Sequence, residues 1–168
     1  MLSKKMETAI NKQINQEFYS GYMYLSMAAY FAEKNLNGFS HWMRLQFSEE
    51  LAHAGKLFDY LIDRDGTVVL SPVKAPPKTW ASTKAAVAAA YKAEVENTKQ
   101  INEIMDLTFK ERDHATRVIL QWFVEEQVEE EASALHLVEQ VKLAGSEPSA
   151  ILIIDRELAA RQLEAPPE

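Results

Sequence analysis

The sequence predicts an all-α protein: an antiparallel four-helix bundle with a long second crossover connection and a short fifth C-terminal helix. Three observations carry this. Apolar residues recur at spacings of three, four and seven through the long stretches of the chain, the period of an amphipathic helix. Residues 67–80 break that pattern with three prolines. Gly145, Ser146 and Pro148 punctuate the chain near its end.

Ser3 caps a first helix reaching about Asn35, with Ile10, Ile14, Tyr24, Ala28 and Phe31 on its stripe. Asn35–Leu36–Asn37–Gly38 is a turn signal. The second helix runs from about Phe39 to Arg64, with Phe39, Met43, Leu57 and Tyr60 in register, and Asp65–Gly66 ends it. The prolines of 67–80 forbid a helix and favour an extended path. At about 3.3 Å per residue such a segment spans the length of a bundle, so the third helix starts at the far end. Ser82 opens a helical pattern that runs on to Ala144 without glycine or proline, too long for one helix of a globular domain. Its most polar window, Lys110–Glu111–Arg112–Asp113–His114, is the expected turn. Gly145 then serves as a C-cap and Ser146 as an N-cap for a last helix carrying Ile151, Leu152, Ile153, Ile154 and Leu158. Residues 1–164 read as one domain and 165–168 as a loose tail.

Composition narrows the function. Twenty-five acids against 18 bases give a formal charge of −7, which argues against nucleic acid or an anionic membrane as a partner and suits cations. The absence of cysteine rules out disulfides, thiolate nucleophiles and cysteine-held metals. Any metal must sit on carboxylate, imidazole or carbonyl. No stretch has the h-region of a signal peptide or the length of a membrane span, so a cytoplasmic location is expected.

An amphipathic helix should carry its acids outside. Here several lie on the apolar seam. Glu17 is seven residues from Ile10 and from Tyr24, and Glu50 is seven from Met43 and from Leu57. His53 is seven from Tyr60. Glu94 is seven from Val87 and Ile101, Gln127 is seven from Leu120, and Glu130 is seven from Phe123 and Leu137. One such residue is more often a rim position. Four helices doing it together point to a paired or metal-bound cluster, because a buried lone carboxylate is costly. Antiparallel packing brings all of them to nearly one height. The spacings repeat: Glu17 to Glu50 and Glu94 to Gln127 are both 33 residues, and Glu17 to His53 and Glu94 to Glu130 are both 36. Two helical hairpins on one plan therefore face a central site. Glu50 and His53, three apart, share a helix face. A glutamate plus Glu-x-x-His is the unit of carboxylate-bridged di-iron bundles. An oxygen and nitrogen donor set favours iron or manganese over a closed structural zinc.

Asn-Gln-Glu-Phe-Tyr-Ser at 15–20, Tyr-Leu-Ser-Met-Ala at 24–28, Glu-Glu-Leu-Ala-His at 49–53 and Trp-Phe-Val-Glu-Glu-Gln-Val-Glu-Glu-Glu at 122–131 resemble the non-haem ferritins of bacteria and archaea. The likeness spans about residues 3–163. It implies a ferritin-like fold and a ferroxidase that oxidises Fe(II) to Fe(III) with dioxygen or hydrogen peroxide. The mineral is then stored in a hollow shell, usually a homo-24-mer. Glu17, Glu50 and His53 match ligands of one iron, and Glu94 and Glu130 those of a second. Gln127 matches a neighbour or weak ligand, and Tyr24 a tyrosine beside the centre. Glu49, Glu126 and Glu129, with Glu130, match a third iron site. Leu51 stands where haem-binding members carry a methionine, so no haem is expected. The acidic pair of the three-fold channel in animal members falls at Arg117 and Leu120. The resemblance also places the fifth helix at a symmetry axis of the shell.

Other matches have plainer readings. Glu111–Arg112–Asp113–His114 is a second Glu-x-x-His, but it sits at the expected turn about 25 Å from Glu94 and reads as solvated. His41 and His136 lack an acidic partner at ligand spacing, and Glu129–Glu130–Glu131 alone is a common solvated face. Two other functions compete with ferroxidase storage. One is a di-iron oxygenase, which would carry a second Glu-x-x-His in the fourth helix, where Gln127-x-x-Glu130 stands. The other is a metal-free structural bundle.

Overall fold

The computed structural model describes residues 2–162. These form five helices: α1 Lys4–Glu33, α2 Asn37–Asp63, α3 Thr83–Glu111, α4 His114–Ala144 and α5 Pro148–Ala159. The proposed 165–168 tail lies outside the described residues.

Each boundary has a local cause. Ser3 Oγ accepts the Met6 N–H at 3.1 Å and starts α1. Asn35 takes a left-handed backbone (φ 58°), which ends α1 two residues before the sequence suggested. α2 then begins at Asn37, with no capping side chain of its own at Leu36. Asp155 of α5 supplies the cap instead, its Oδ1 accepting the Phe39 N–H at 3.0 Å. Gly38 makes this docking possible, since a Cβ there would stand 1.6 Å from the Asp155 carbonyl oxygen.

The segment between α2 and α3 contains no helix or strand and runs along α1. Asn11 Nδ2 donates to the Thr67 carbonyl at 2.9 Å, and its Oδ1 accepts the Val69 N–H at 2.6 Å. Asn15 holds the Ser71 carbonyl at 2.9 Å, Ser26 that of Pro77 at 2.6 Å, and Tyr30 that of Trp80 at 3.1 Å. A polar ladder on α1 thus satisfies a backbone that has no partner strand. Ser82 caps α3 through Ala85 N–H at 3.1 Å.

The turn between α3 and α4 falls where the polar window placed it. Arg112 is left-handed (φ 55°), which costs a non-glycine residue roughly 1 kcal/mol. Asp113 offsets this by capping α4 through the Thr116 N–H at 3.1 Å, and Arg64 holds Asp113 from the end of α2 at 3.1 Å. Gly145 ends α4 with φ 59°, as the sequence suggested. The cap of α5 is a correction: Glu147, not Ser146, precedes it, without a side-chain bond, and Pro148 opens the helix with φ already fixed.

α1 pairs with α2 and α3 with α4, and α5 lies mainly on α2. The apolar interior is divided. One cluster contains Met27, Phe31, Phe39, Met43, Val87 and Leu137. The other contains Met6, Ile10, Ile14, Leu57, Ile101 and Phe123. Between them in sequence, on every long helix, come the buried polar residues Glu17, Gln46, Glu50, His53, Glu94, Asn97 and Gln127, with Gln13 buried one residue before Ile14. Leu120 is fully buried in the second cluster, so it cannot line a surface channel, whereas Arg117 is exposed and stacks on Phe109 at 5.4 Å.

Candidate metal centre

The helical repeat places Glu17 on α1 and Glu50 and His53 one turn apart on α2, all facing the bundle interior. One ligand atom from each lies within 4.8 Å of the others, and all three residues are buried. Glu50 Oε2 and His53 Nδ1, 3.6 Å apart, have no hydrogen-bond partner. A buried carboxylate oxygen left so is expensive, and a shared cation relieves both atoms. The His53 ring rests edge-on against Trp122 at 5.4 Å and Phe123 at 5.8 Å, which fixes its plane.

Glu17 is braced. Gln13 Nε2 donates to its Oε1 at 2.7 Å and Asn97 Nδ2 to its Oε2 at 3.2 Å. Gln13 also donates to Asn97 Oδ1 at 2.6 Å, and Asn97 reaches Gln127 Oε1 at 3.4 Å. These amides hold the carboxylate in one orientation.

The second hairpin brings its residues to the same level with different partners. Tyr24 OH donates to Glu94 Oε1. Gln127 Nε2 donates to the Glu94 carbonyl at 3.3 Å and to Thr98 Oγ1 at 3.1 Å, so its amide serves the bundle. Glu130 Oε2 accepts from Gln46 Nε2 at 2.7 Å. Among the described residues Glu17, Glu50 and His53 form the group of three with converging donors, and Glu94 and Glu130 are near enough to act on the Glu50 charge. Glu49 and Glu126 are half-buried and Glu129 is exposed. Those three and Glu130 are not gathered into such a group. Glu49 Oε1 is 3.7 Å from Arg161 Nη2.

Burial and mutual repulsion govern the charges. Burial, then Glu94 and Glu17, lifts the Glu50 carboxyl well above the ordinary range. Burial raises Glu94 to about 7 against the opposing Tyr24 hydrogen bond. Burial and the Glu94 charge raise Glu130, and the same two causes raise the Tyr24 phenol. Burial lowers His53, so its imidazole is held neutral and ready to ligate. Burial and mutual repulsion thus favour the protonated form of these three carboxyls when no cation is bound, and a divalent ion binding them would release protons.

Glu17, Glu50, His53, Glu94, Gln127 and Glu130 were legible on the apolar seam, whereas Gln13, Gln46, Asn97 and Arg161 were missed. Three of the missed residues carried a readable signal. Gln13 is three residues from Ile10, Gln46 three from Met43, and Asn97 lies between Glu94 and Ile101. Amides on an apolar seam carry the same signal as acids. Arg161 carried none, because it follows the last helix.

The decoys stand apart. Glu111, Arg112 and His114 are exposed, Asp113 is the cap of α4, and His136 is exposed. His41 Nε2 lies 2.9 Å from the Arg161 carbonyl, a packing role.

Comparison with known proteins agrees with this geometry. Residues 7–144 match the ferritin family's ferritin-like domain. A bacterial non-heme ferritin of Bacteroides fragilis is 37% identical over 161 residues, covering 96% of this chain and 100% of that protein. One of Campylobacter jejuni is 36% identical over 156 residues, covering 93% of each. A solved Archaeoglobus fulgidus ferritin, described as open-pore, is 51% identical with a TM-score of 0.95, over 96% of this chain and 100% of that one. A closed form of that ferritin made by site-directed mutagenesis is 50% identical with a TM-score of 0.96, over 98% of this chain and 100% of that one. With its buried carboxylate and imidazole cluster inside a four-helix bundle, the chain belongs to the ferritin family, the iron-storing ferroxidases.

Proposed function

We propose that Glu17, Glu50, His53, Glu94 and Glu130 form the ferroxidase centre, with Fe(II) as substrate. The observation that carries this is the convergence of three buried ligand residues, with Glu50 Oε2 and His53 Nδ1 lacking any hydrogen-bond partner. The first ferrous ion binds Glu17, Glu50 and His53 and displaces the proton of Glu50. The second binds on the Glu94 and Glu130 side, with Glu50 between the two. Gln127 steadies Glu94 from its backbone side. Tyr24 orients the Glu94 carboxylate and stands ready as an electron donor. Each ferrous ion gives one electron to dioxygen, which takes up two protons and leaves as hydrogen peroxide. Hydrogen peroxide can replace dioxygen, accepting two electrons and two protons to become two waters. Hard anionic oxygen donors favour Fe(III) over Fe(II) and so drive the oxidation.

Glu49, Glu126 and Glu129, with Glu130, form a third iron site on the route by which ferric ions leave. Self-association into a homo-24-mer shell encloses the mineral in the cytoplasm. No haem takes part, since Leu51 offers no donor atom.

The test is Fe(II) addition in air at two ions per subunit, followed by ferric absorbance. His53→Ala should slow the initial oxidation by at least about 100-fold, the scale of losing one ligand and its share of the site. An unchanged initial rate would sink the assignment.

A further inference from the structure

We propose that Arg161 is a built-in counter-cation that competes with metal ions for the acidic residues flanking the buried centre. The inference rests on the reading of Glu130 as an iron ligand with Glu49 beside it. Arg161 Nη1 donates to Gln46 Oε1 at 2.8 Å, and the amide of Gln46 passes on to Glu130 Oε2 at 2.7 Å. The other nitrogen, Nη2, stands 3.7 Å from Glu49 Oε1. One guanidinium therefore faces Glu49 directly and Glu130 through a single buried amide. Its plane lies over Trp42 at 5.4 Å, and its own backbone carbonyl meets His41 at 2.9 Å.

This placement is built by α5. Gly38 admits the Asp155 backbone against α2, and Asp155 caps α2 in return. That docking brings the chain beyond α5 alongside His41, Trp42 and Gln46, one turn before Glu49 and Glu50. The Arg161 side chain keeps 28% of its surface exposed and Glu49 20%, so the guanidinium can swing into solvent without unpacking the core. A cation moving between Glu130 and Glu49 meets a positive charge already there. Arginine cannot lose its proton at working pH, so the competition is settled by charge and geometry alone. A monovalent ion gains too little to displace a fork-shaped cation, and a multivalent ion gains more. Arg161 thus acts directly on Glu49 and as a positioning residue on Glu130.

Terbium(III), an oxygen-seeking ion, is the probe, because Trp42 beneath Arg161 can sensitise its luminescence. Titrations use the assembled full chain carrying Glu17→Gln, which weakens the buried centre's contribution. Arg161→Gln should tighten terbium binding roughly five-fold, the scale of a partly exposed ion pair. Arg161→Lys, which keeps the charge but loses the fork, should tighten it roughly two-fold. Unchanged or weaker binding in both variants overturns the proposal, and if Arg161→Gln does not assemble the lysine variant decides alone. Ferrous oxidation at two ions per subunit, measured on the chain with neither change, is the control for the centre itself. Absence of that oxidation in the unaltered chain defeats the centre itself. Normal oxidation with unchanged terbium affinity defeats only the role of Arg161.

Discussion

The two hairpins share one spacing plan but not one preparation. In α1–α2, three donors already converge, and the carboxylate of Glu17 is held on both oxygens by amides. In α3–α4, each corresponding residue is engaged elsewhere: Glu94 with Tyr24, Gln127 with Thr98, and Glu130 with Gln46. In the first set Glu50 Oε2 and His53 Nδ1 are unpartnered, so these two atoms can take an ion without first breaking a hydrogen bond, which favours tighter binding. The engaged set must trade those bonds for a metal ion, which favours weaker and more easily reversed binding. The lesson is that sequence symmetry set the positions, while the neighbours set how the donors of each half are prepared. Under the proposed ferroxidase reading, this inequality suits a centre that passes iron onward.

The largest test concerns the protons both halves carry when metal-free. Glu94 rises from 4.5 to about 7 on folding, and Glu50 and Glu130 are raised too. A carboxylate with a raised folded value binds more protons folded than unfolded between those two values, so stability falls as pH rises through that window. Glu94 alone corresponds to about 3 kcal/mol at most between pH 4.5 and 7. His53 is lowered, so its contribution runs the other way below about pH 6.5, and Asp113 is lowered at the α4 cap and loses its share only in stronger acid. The carboxylates outnumber it. Chelator-treated protein should therefore unfold at lower temperature at pH 7.5 than at pH 5.5, and zinc(II) at pH 7.5 should restore the loss. A melting temperature that climbs steadily with pH in chelator would refute this.

Bracing comes next. Gln13→Leu removes one of the two amides on Glu17 and should weaken the first divalent ion about ten-fold, the usual effect of losing a group that orients a ligand. Thr98→Val frees Gln127 in the other hairpin and should change affinity less than about two-fold, because Gln127 still reaches the Glu94 carbonyl. Anaerobic calorimetry with Fe(II) measures both, and equal losses would erase the distinction drawn between the hairpins.

Making the second half match the first sharpens the point. Gln127→Glu combined with Glu130→His gives α4 the Glu-x-x-His of α2. The added charge and imidazole should hold the second ion about ten-fold more tightly and slow delivery of iron to the mineral. Stopped-flow turnover with successive iron additions reads this: the first addition should oxidise normally and later ones should lag. Full speed on every addition would show that loose binding in the second hairpin does not limit transfer.

Much of this was legible in the sequence, for identifiable reasons. The seam positions of Glu17, Glu50, His53 and Glu94 could be read because their apolar neighbours at seven residues fix the buried face. The α3–α4 turn was found by polarity alone. The cap of α5 was misplaced because serine is a strong capping residue, and here Pro148 starts the helix one residue later than Ser146 would allow. The Asn11, Asn15, Ser26 and Tyr30 ladder and the Asp155 cap could not be read, since each joins residues 50 or more apart. Arg161 falls in the same class, with partners 115 residues away.

The smallest effect lies at the turns that close the two hairpins. Both use a left-handed residue: Asn35 in the first (φ 58°) and Arg112 in the second (φ 55°). Asparagine tolerates that conformation and arginine does not, so the second turn stores strain that the first avoids. Arg112 is exposed and its side chain forms no part of the Arg64–Asp113 clamp. Arg112→Gly should therefore stabilise the protein by about 0.5–1 kcal/mol, because relief of the left-handed strain exceeds the added freedom of the unfolded glycine. Asn35→Gly should gain nothing measurable. Chemical denaturation of metal-free protein separates the two substitutions, and an equal response would mean that Asp113 and Arg64, rather than the Arg112 backbone, set the energy of the turn.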